Sequence, residues 1–182
     1  MTMFSTQFRV LGLATLALLA SLTVSSCLTP PDYSDTPEID FKSIQIKRVT
    51  DATGTYDTVT VTVSFRDGDG DLGLSNDETN PPYQYDNGNN RYNNNYFFEP
   101  QILNPQTGIF NPVTINYGYD SRYPRLTQSE RKEPLRGELS FGLKFSVGST
   151  FARGSTVRFK VSIADRALHE SNTVLTDPVT FN

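Results

Sequence analysis

Apolar and polar residues alternate along much of the chain, and the cleanest run sets Val59, Val61, Val63 and Phe65 on one side against Thr58, Thr60, Thr62 and Ser64 on the other. A period of two means a strand with one buried face. Two later stretches repeat it, with Leu139, Phe141, Leu143, Phe145 and Val147 as one inward set and Val157, Phe159, Val161 and Ile163 as another. Before them, Ile39 and Phe41 share one phase and Ile44 and Ile46 the opposite one, which predicts a β-bulge near Ser43. Residues 96–103 and 109–117 read as a hairpin around a turn at 104–108, and residues 172–181 as a closing strand that Pro178 restricts to an edge. Turns are expected at 51–57, around Gly54, and at 148–155. With about seven strands and no helical period after residue 26, the pattern predicts an all-β fold, an immunoglobulin-like β-sandwich over residues 39–182.

Two stretches break the alternation. Residues 75–95 hold eight asparagines, Pro81-Pro82 and three tyrosines, too little apolar area to offset the entropy of ordering, so they read as a long insertion loop outside the core. Tyrosine beside asparagine can stack on and hydrogen-bond a sugar, which makes Tyr83, Tyr85 and Tyr92 candidate ligand contacts. The plain alternative is a solvated insertion. Residues 118–136 are irregular as well, and the charged run at 130–133 reads as a solvated face.

The stretch with a chemical reason for its spacing is Asp67-Gly68-Asp69-Gly70-Asp71, at the end of the strand that carries Phe65. Three carboxylates in five residues repel one another unless something positive sits among them. Calcium suits the task, because it takes about six to eight oxygen ligands and tolerates irregular geometry. Aspartates at loop positions 1, 3 and 5 also open helix-flanked calcium loops. Counted from Asp67, position 7 is Gly73, which offers a backbone carbonyl, and position 12 is Glu78. Position 6 is Leu72, however, where such loops need glycine, and neither flank reads as a helix. The expectation is a calcium loop on a β scaffold, with Asp67, Asp69, Asp71, Gly73 and Glu78 as ligands; the bland alternative is ordinary Asp-Gly turn chemistry.

Asp165 joins the set by topology. If strand 157–163 is the sixth of seven in a sandwich, it faces strand 59–65 across the core and the loops after both lie at one end. Asp165 follows Ile163 by two residues, as Asp67 follows Phe65. Asp165 is therefore expected to approach the ladder, as a ligand or through Arg166 as a charge partner. The alternative is that Asp165-Arg166 opens a turn.

The first 26 residues carry one charge, Arg9, and then an apolar run at 10–20 that is short for a bilayer span and fits an export signal. Cys27 is the only cysteine, so no internal disulfide can form. Val24-Ser25-Ser26-Cys27 resembles a bacterial lipobox, which implies cleavage before Cys27 and its lipidation; the alternative is a leftover thiol behind an ordinary signal. Leu28, standing where an aspartate would favour inner-membrane retention, points by the same resemblance to the outer membrane. Residues 27–38, with Pro30, Pro31 and Pro37, read as an extended tether. The lipobox, the Phe65-to-Gly73 stretch and the closing run from Ile163 to Val174 resemble the small outer-membrane lipoproteins of Bacteroidetes-type bacteria. That resemblance implies an immunoglobulin-like or cadherin-like domain and a membrane location, and it brings no activity.

Beyond the leader, 156 residues hold fifteen Lys and Arg against twenty Asp and Glu, a length suited to one domain and a mildly acidic balance that argues against nucleic acid as a partner. His169 is the only histidine, zinc lacks His and Cys ligands, and no serine sits in a nucleophile elbow. A glycosidase-like carboxylate pair is disfavoured because clustered, metal-filled aspartates make poor proton donors. The chain is therefore expected not to be an enzyme. Its expected role is a lipid-anchored envelope or surface module, stabilised by calcium, that binds glycan or protein. The alternative is a structural or assembly component of an outer-membrane complex.

Overall fold

The computed structural model describes residues 31–113, 118–129 and 131–182. The expected export signal, Cys27 and the first tether residues lie outside the described residues, as does the 114–117 part of the strand expected at 109–117. Eight strands follow in chain order: β1 (Glu38–Asp51), β2 (Gly54–Asp67), β3 (Tyr96–Leu103), β4 (Phe110–Pro112), β5 (Leu135–Ser146), β6 (Ser155–Ile163), β7 (Val174–Leu175) and β8 (Val179–Phe181). One short 3-10 turn at Arg91–Asn93 is the helical element among the described residues.

Two antiparallel sheets result. The first has the order β1-β2-β5, and the second runs β4-β3-β6, with β7 and β8 pairing along the other side of β6. Their inner faces share one core, which includes Val59, Val61 and Val63 from β2 and Val157, Phe159, Val161 and Ile163 from β6, all fully buried. Burying each such side chain contributes about 1.5–3 kcal/mol relative to exposure. Phe145 of β5 closes one end among Phe151, Phe159 and Phe181. The alternation predicted for β2 holds without exception from Asp57 to Asp67. The β1–β2 register shifts between Phe41 and Ser43, so the expected bulge is present at Lys42 and turns both halves of β1 toward the core.

Three expectations need correction. The hairpin turn is tighter than 51–57: Asp51 pairs directly with Gly54, leaving a two-residue loop, and Thr55 to Asp57 belong to β2. Gly54 takes a φ of +133°, which lets the chain reverse so quickly. The closing strand is not continuous either. It breaks into β7 and β8 ahead of Pro178, and Thr176 bridges the gap: its N–H donates to the Phe159 carbonyl and its hydroxyl accepts from the Phe159 N–H. The described residues thus hold eight strands. Finally, the turn at 148–155 contributes to the core through buried Phe151.

One edge of the first sheet, β1, is tied to the segment ahead of β7 by a side chain. The Asn172 amide accepts from the Ile39 N–H and donates to the Ile39 carbonyl, both at 2.8 Å, imitating a ladder pair beside β1.

Candidate metal centre

β2 delivers the first carboxylate. Because its inward phase runs unbroken, Asp67 lands on the core side just past Phe65 and is fully buried. The two glycines then let the chain pass between two neighbouring segments. Gly68 donates its N–H to the Ser34 carbonyl at 2.8 Å, and a Cβ there would strike the backbone of Tyr33 and Ser34. Gly70, at φ +69°, has the Glu133 carbonyl in the place a Cβ would need. The glycines thus supply room as well as curvature. Leu72 forms an isolated bridge with Asp165 and its carbonyl accepts from Leu126, while Leu74 donates to the Tyr123 carbonyl. Leu72 is 1% exposed and belongs to the core, which explains why the position that helix-flanked loops give to glycine is apolar here.

Asp67, Asp69 and Asp71 each offer one carboxylate oxygen within 4.8 Å of the others. Oxygens bound to one calcium at about 2.3–2.6 Å can lie at most about 5 Å apart, so the spread fits a single ion. More telling is what these oxygens lack. Both oxygens of Asp67, and Oδ1 of Asp69 and Asp71, are buried without a hydrogen-bond partner. The Asp71 N–H eases the charge on Asp67 without reaching hydrogen-bond geometry. An ionised carboxylate taken out of water with no partner is costly. Burial, then the nearby charges of Asp69, Asp71 and Asp165, push the Asp67 carboxyl up to about 7. Asp71 is also raised, by burial and by Asp165 and Asp69, against relief from the N–H groups of Arg166 and Ala167. Lys132 reaches one oxygen, Asp69 Oδ2, at 3.0 Å from a largely exposed position.

Asp165 lies where topology puts it, close enough to raise both Asp67 and Asp71. Its own oxygens are engaged by His169, which donates its N–H to Oδ1 at 2.7 Å and sets Nδ1 2.8 Å from Oδ2. The same contact raises the His169 imidazole. Glu78 is drawn elsewhere. It accepts from the Ser75 N–H and pairs with Arg125 at 2.7 Å and Arg166 at 3.1 Å, and these partners hold its carboxyl below the usual range. Gly73, at φ +96°, packs its Cα against the Pro124–Arg125 backbone, and its amide lies beside the Tyr123 hydroxyl.

The insertion at 75–95 is ordered around a residue that the alternation does not single out. The Arg122 guanidinium donates to four carbonyls: Asn93 at 2.5 Å, Ser75 at 3.0 Å, Glu78 at 3.1 Å and Tyr83 at 3.0 Å. Two of the candidate sugar contacts are tied down by the same packing. Tyr83 donates its hydroxyl to the Arg166 carbonyl and Tyr92 to Glu170, whereas Tyr85 stands 70% exposed. A larger cavity of about 380 Å³ lies over β3 and β6, but its charged residues are matched: Arg91 pairs with Glu170, Lys160 with Glu99, and Asp120 accepts from the Phe98 N–H.

No family model matches the chain, and no curated protein or solved structure matches it.

Proposed function

We propose that the chain is a calcium-binding, immunoglobulin-like module of the bacterial envelope, anchored to the outer membrane through Cys27, that recognises a ligand rather than catalysing a reaction. The observation that carries the reading is Asp67: a fully buried carboxylate, both oxygens without a partner, inside a triad of the right size for one hard cation. Calcium would be held by Asp67, Asp69 and Asp71, with Asp165 behind them. It would supply the positive charge that the chain does not bring to Asp67 and would stiffen the loop. The strand order supports the immunoglobulin-like assignment, since 1-2-5 opposite 4-3-6-7 is the arrangement of such a sandwich with its fourth strand paired to the third. The lipid anchor and the outer-membrane location rest on the Val24-to-Leu28 pattern.

A second reading, a structural or assembly component, is favoured by β5. Its twelve residues form a sheet edge whose outer side pairs with no strand among the described residues, and an incoming strand could add there.

Thermal unfolding of the full chain in excess EDTA and then in millimolar calcium tests the ion. At 100 Kd a single site adds about 2.7 kcal/mol, which raises the midpoint by several degrees. Asp69→Ala should abolish the rise. An unchanged midpoint in the unaltered chain would return residues 67–71 to the status of a turn.

A further inference from the structure

Beside the ladder lies a cavity of about 210 Å³ whose wall contains Asp69 and Asp71 together with Arg125, Arg131, Lys132 and Arg166. Four of the chain's sixteen Lys and Arg residues thus line one cavity in a protein of net charge −4. We infer that this cavity, once calcium is bound, takes a small carboxylate-bearing ligand, one of whose oxygens completes the coordination of the ion. The inference rests on the calcium reading above.

Three observations carry it. The first is the count of oxygens. The ladder offers four without partners, two from Asp67 and one each from Asp69 and Asp71. Calcium takes about six to eight, so positions remain for oxygens from outside the ladder, and Asp69 and Asp71 form part of the cavity wall. The second is charge. The ion's two charges offset those of the two wall carboxylates, and because the ion takes the unpartnered Oδ1 of Asp69, Lys132 keeps its contact with Oδ2. The wall of the loaded cavity is then cationic on the side of Arg131 and Lys132. The third is the direction of the hydroxyl hydrogen bonds. Thr127 Oγ1 already accepts the Ser129 N–H at 3.0 Å, and Ser129 Oγ accepts the Arg131 N–H at 3.2 Å. Each hydroxyl keeps a proton to donate, and both residues belong to the cavity wall. A wall of cations and hydroxyl donors around a hard ion fits an anionic oxygen ligand. Among the described residues no aromatic ring lines the cavity, so charge rather than stacking would select the ligand. Its volume is below the roughly 300 Å³ of drug-sized pockets, which limits the bound part to about one small ring or group.

The test uses the full chain. Calcium affinity is measured first by isothermal titration, and then D-galacturonate, its neutral counterpart galactose and inorganic phosphate are titrated with calcium or with EDTA. Galacturonate should bind in calcium at least about tenfold more tightly than in EDTA and about tenfold more tightly than galactose, since a charge-assisted contact is lost in each control. Arg131→Ala, which touches no ladder oxygen, should weaken galacturonate about tenfold while calcium affinity stays within about threefold. Calcium binding with no calcium-dependent galacturonate binding would overturn the inference and leave the metal site standing. Phosphate bound about tenfold more tightly than galacturonate would overturn the choice of carboxylate. Failure of calcium itself to bind would remove both readings.

Discussion

Strand β2 buries an aspartate at each end of the same face, and the two have opposite fates. Asp57 is 3% exposed and meets the Arg48 guanidinium through two hydrogen bonds of 2.9 Å, one to each oxygen. Asp67, ten residues on, is 0% exposed, and both its oxygens are without a partner. Strand, face, residue type and burial are shared, so the difference lies in who supplies the positive charge. At Asp57 the neighbouring strand does, because Arg48 stands directly across from it in the β1–β2 ladder. At Asp67 the neighbours are three further carboxylates. A buried carboxylate is tolerated when a fork of donors meets it and is a liability when like charges do. Arg122 makes the same point in reverse: there the chain provides the cation, and four carbonyls of the insertion gather round it.

The largest effect expected from this contrast is a pH dependence. Asp67 has a folded value raised to about 7 from an ordinary 3.8, so it favours the fold below about pH 4 and loses that contribution as the pH rises toward 7. Asp71, Asp165 and His169 are raised too and act with the same sign. Glu78, which is lowered, acts in the opposite sense, its contribution being lost only as the pH falls through the acid range. Denaturant unfolding of the full chain in EDTA should therefore show stability falling between pH 5 and pH 7, by on the order of 3 kcal/mol. Saturating calcium should flatten or invert that slope, because the ion displaces the proton. A metal-free curve that rises toward pH 7 would contradict the unpaired state of Asp67.

Smaller effects come from neutralising each aspartate in turn. Asp57→Asn should lower stability by about 2 kcal/mol whether or not calcium is present, since it strips a charge-assisted pair. Asp67→Asn should do the reverse in EDTA at pH 7, raising the midpoint by about 2–4 °C, and should abolish the response to calcium. If both substitutions destabilise alike, the two ends of β2 are equivalent and the contrast fails. The smallest effect belongs to Glu78→Gln. It should cost no more than about 1 kcal/mol through its pairs with Arg125 and Arg166, and the calcium-induced rise in midpoint should persist. Loss of that rise would bring Glu78 back among the ligands.

Those outcomes also mark where sequence was sufficient. The burial of Asp67 and the approach of Asp165 follow from a period of two and from strand order, both written in the residues themselves. The bulge at Lys42 was legible for the same reason, as a change of phase. The expectation for Glu78 rests on loop numbering borrowed from a helical scaffold. Nothing local shows that Arg125 and Arg166, 47 and 88 positions further on, hold it instead. Arg122 was invisible because its partners are carbonyls, which every residue possesses, drawn from separate turns of the insertion. Lys132 sat in a charged run that reads as solvated, and its single contact with Asp69 depends on how residues 131–135 cross Gly70. Periodic features could be read, and contacts made by one long side chain across an irregular loop could not.

Gly68 has a mechanical meaning as well. Its amide is fastened to Ser34, four residues before β1 begins, so tension applied to the N-terminal side of the domain reaches the 67–69 backbone before it loads the β1–β2 ladder. The first link to yield under such a pull is the one flanked by Asp67 and Asp69. The loop that would grip an ion is thus also the first part of the sandwich to feel a pull on residues 31–34.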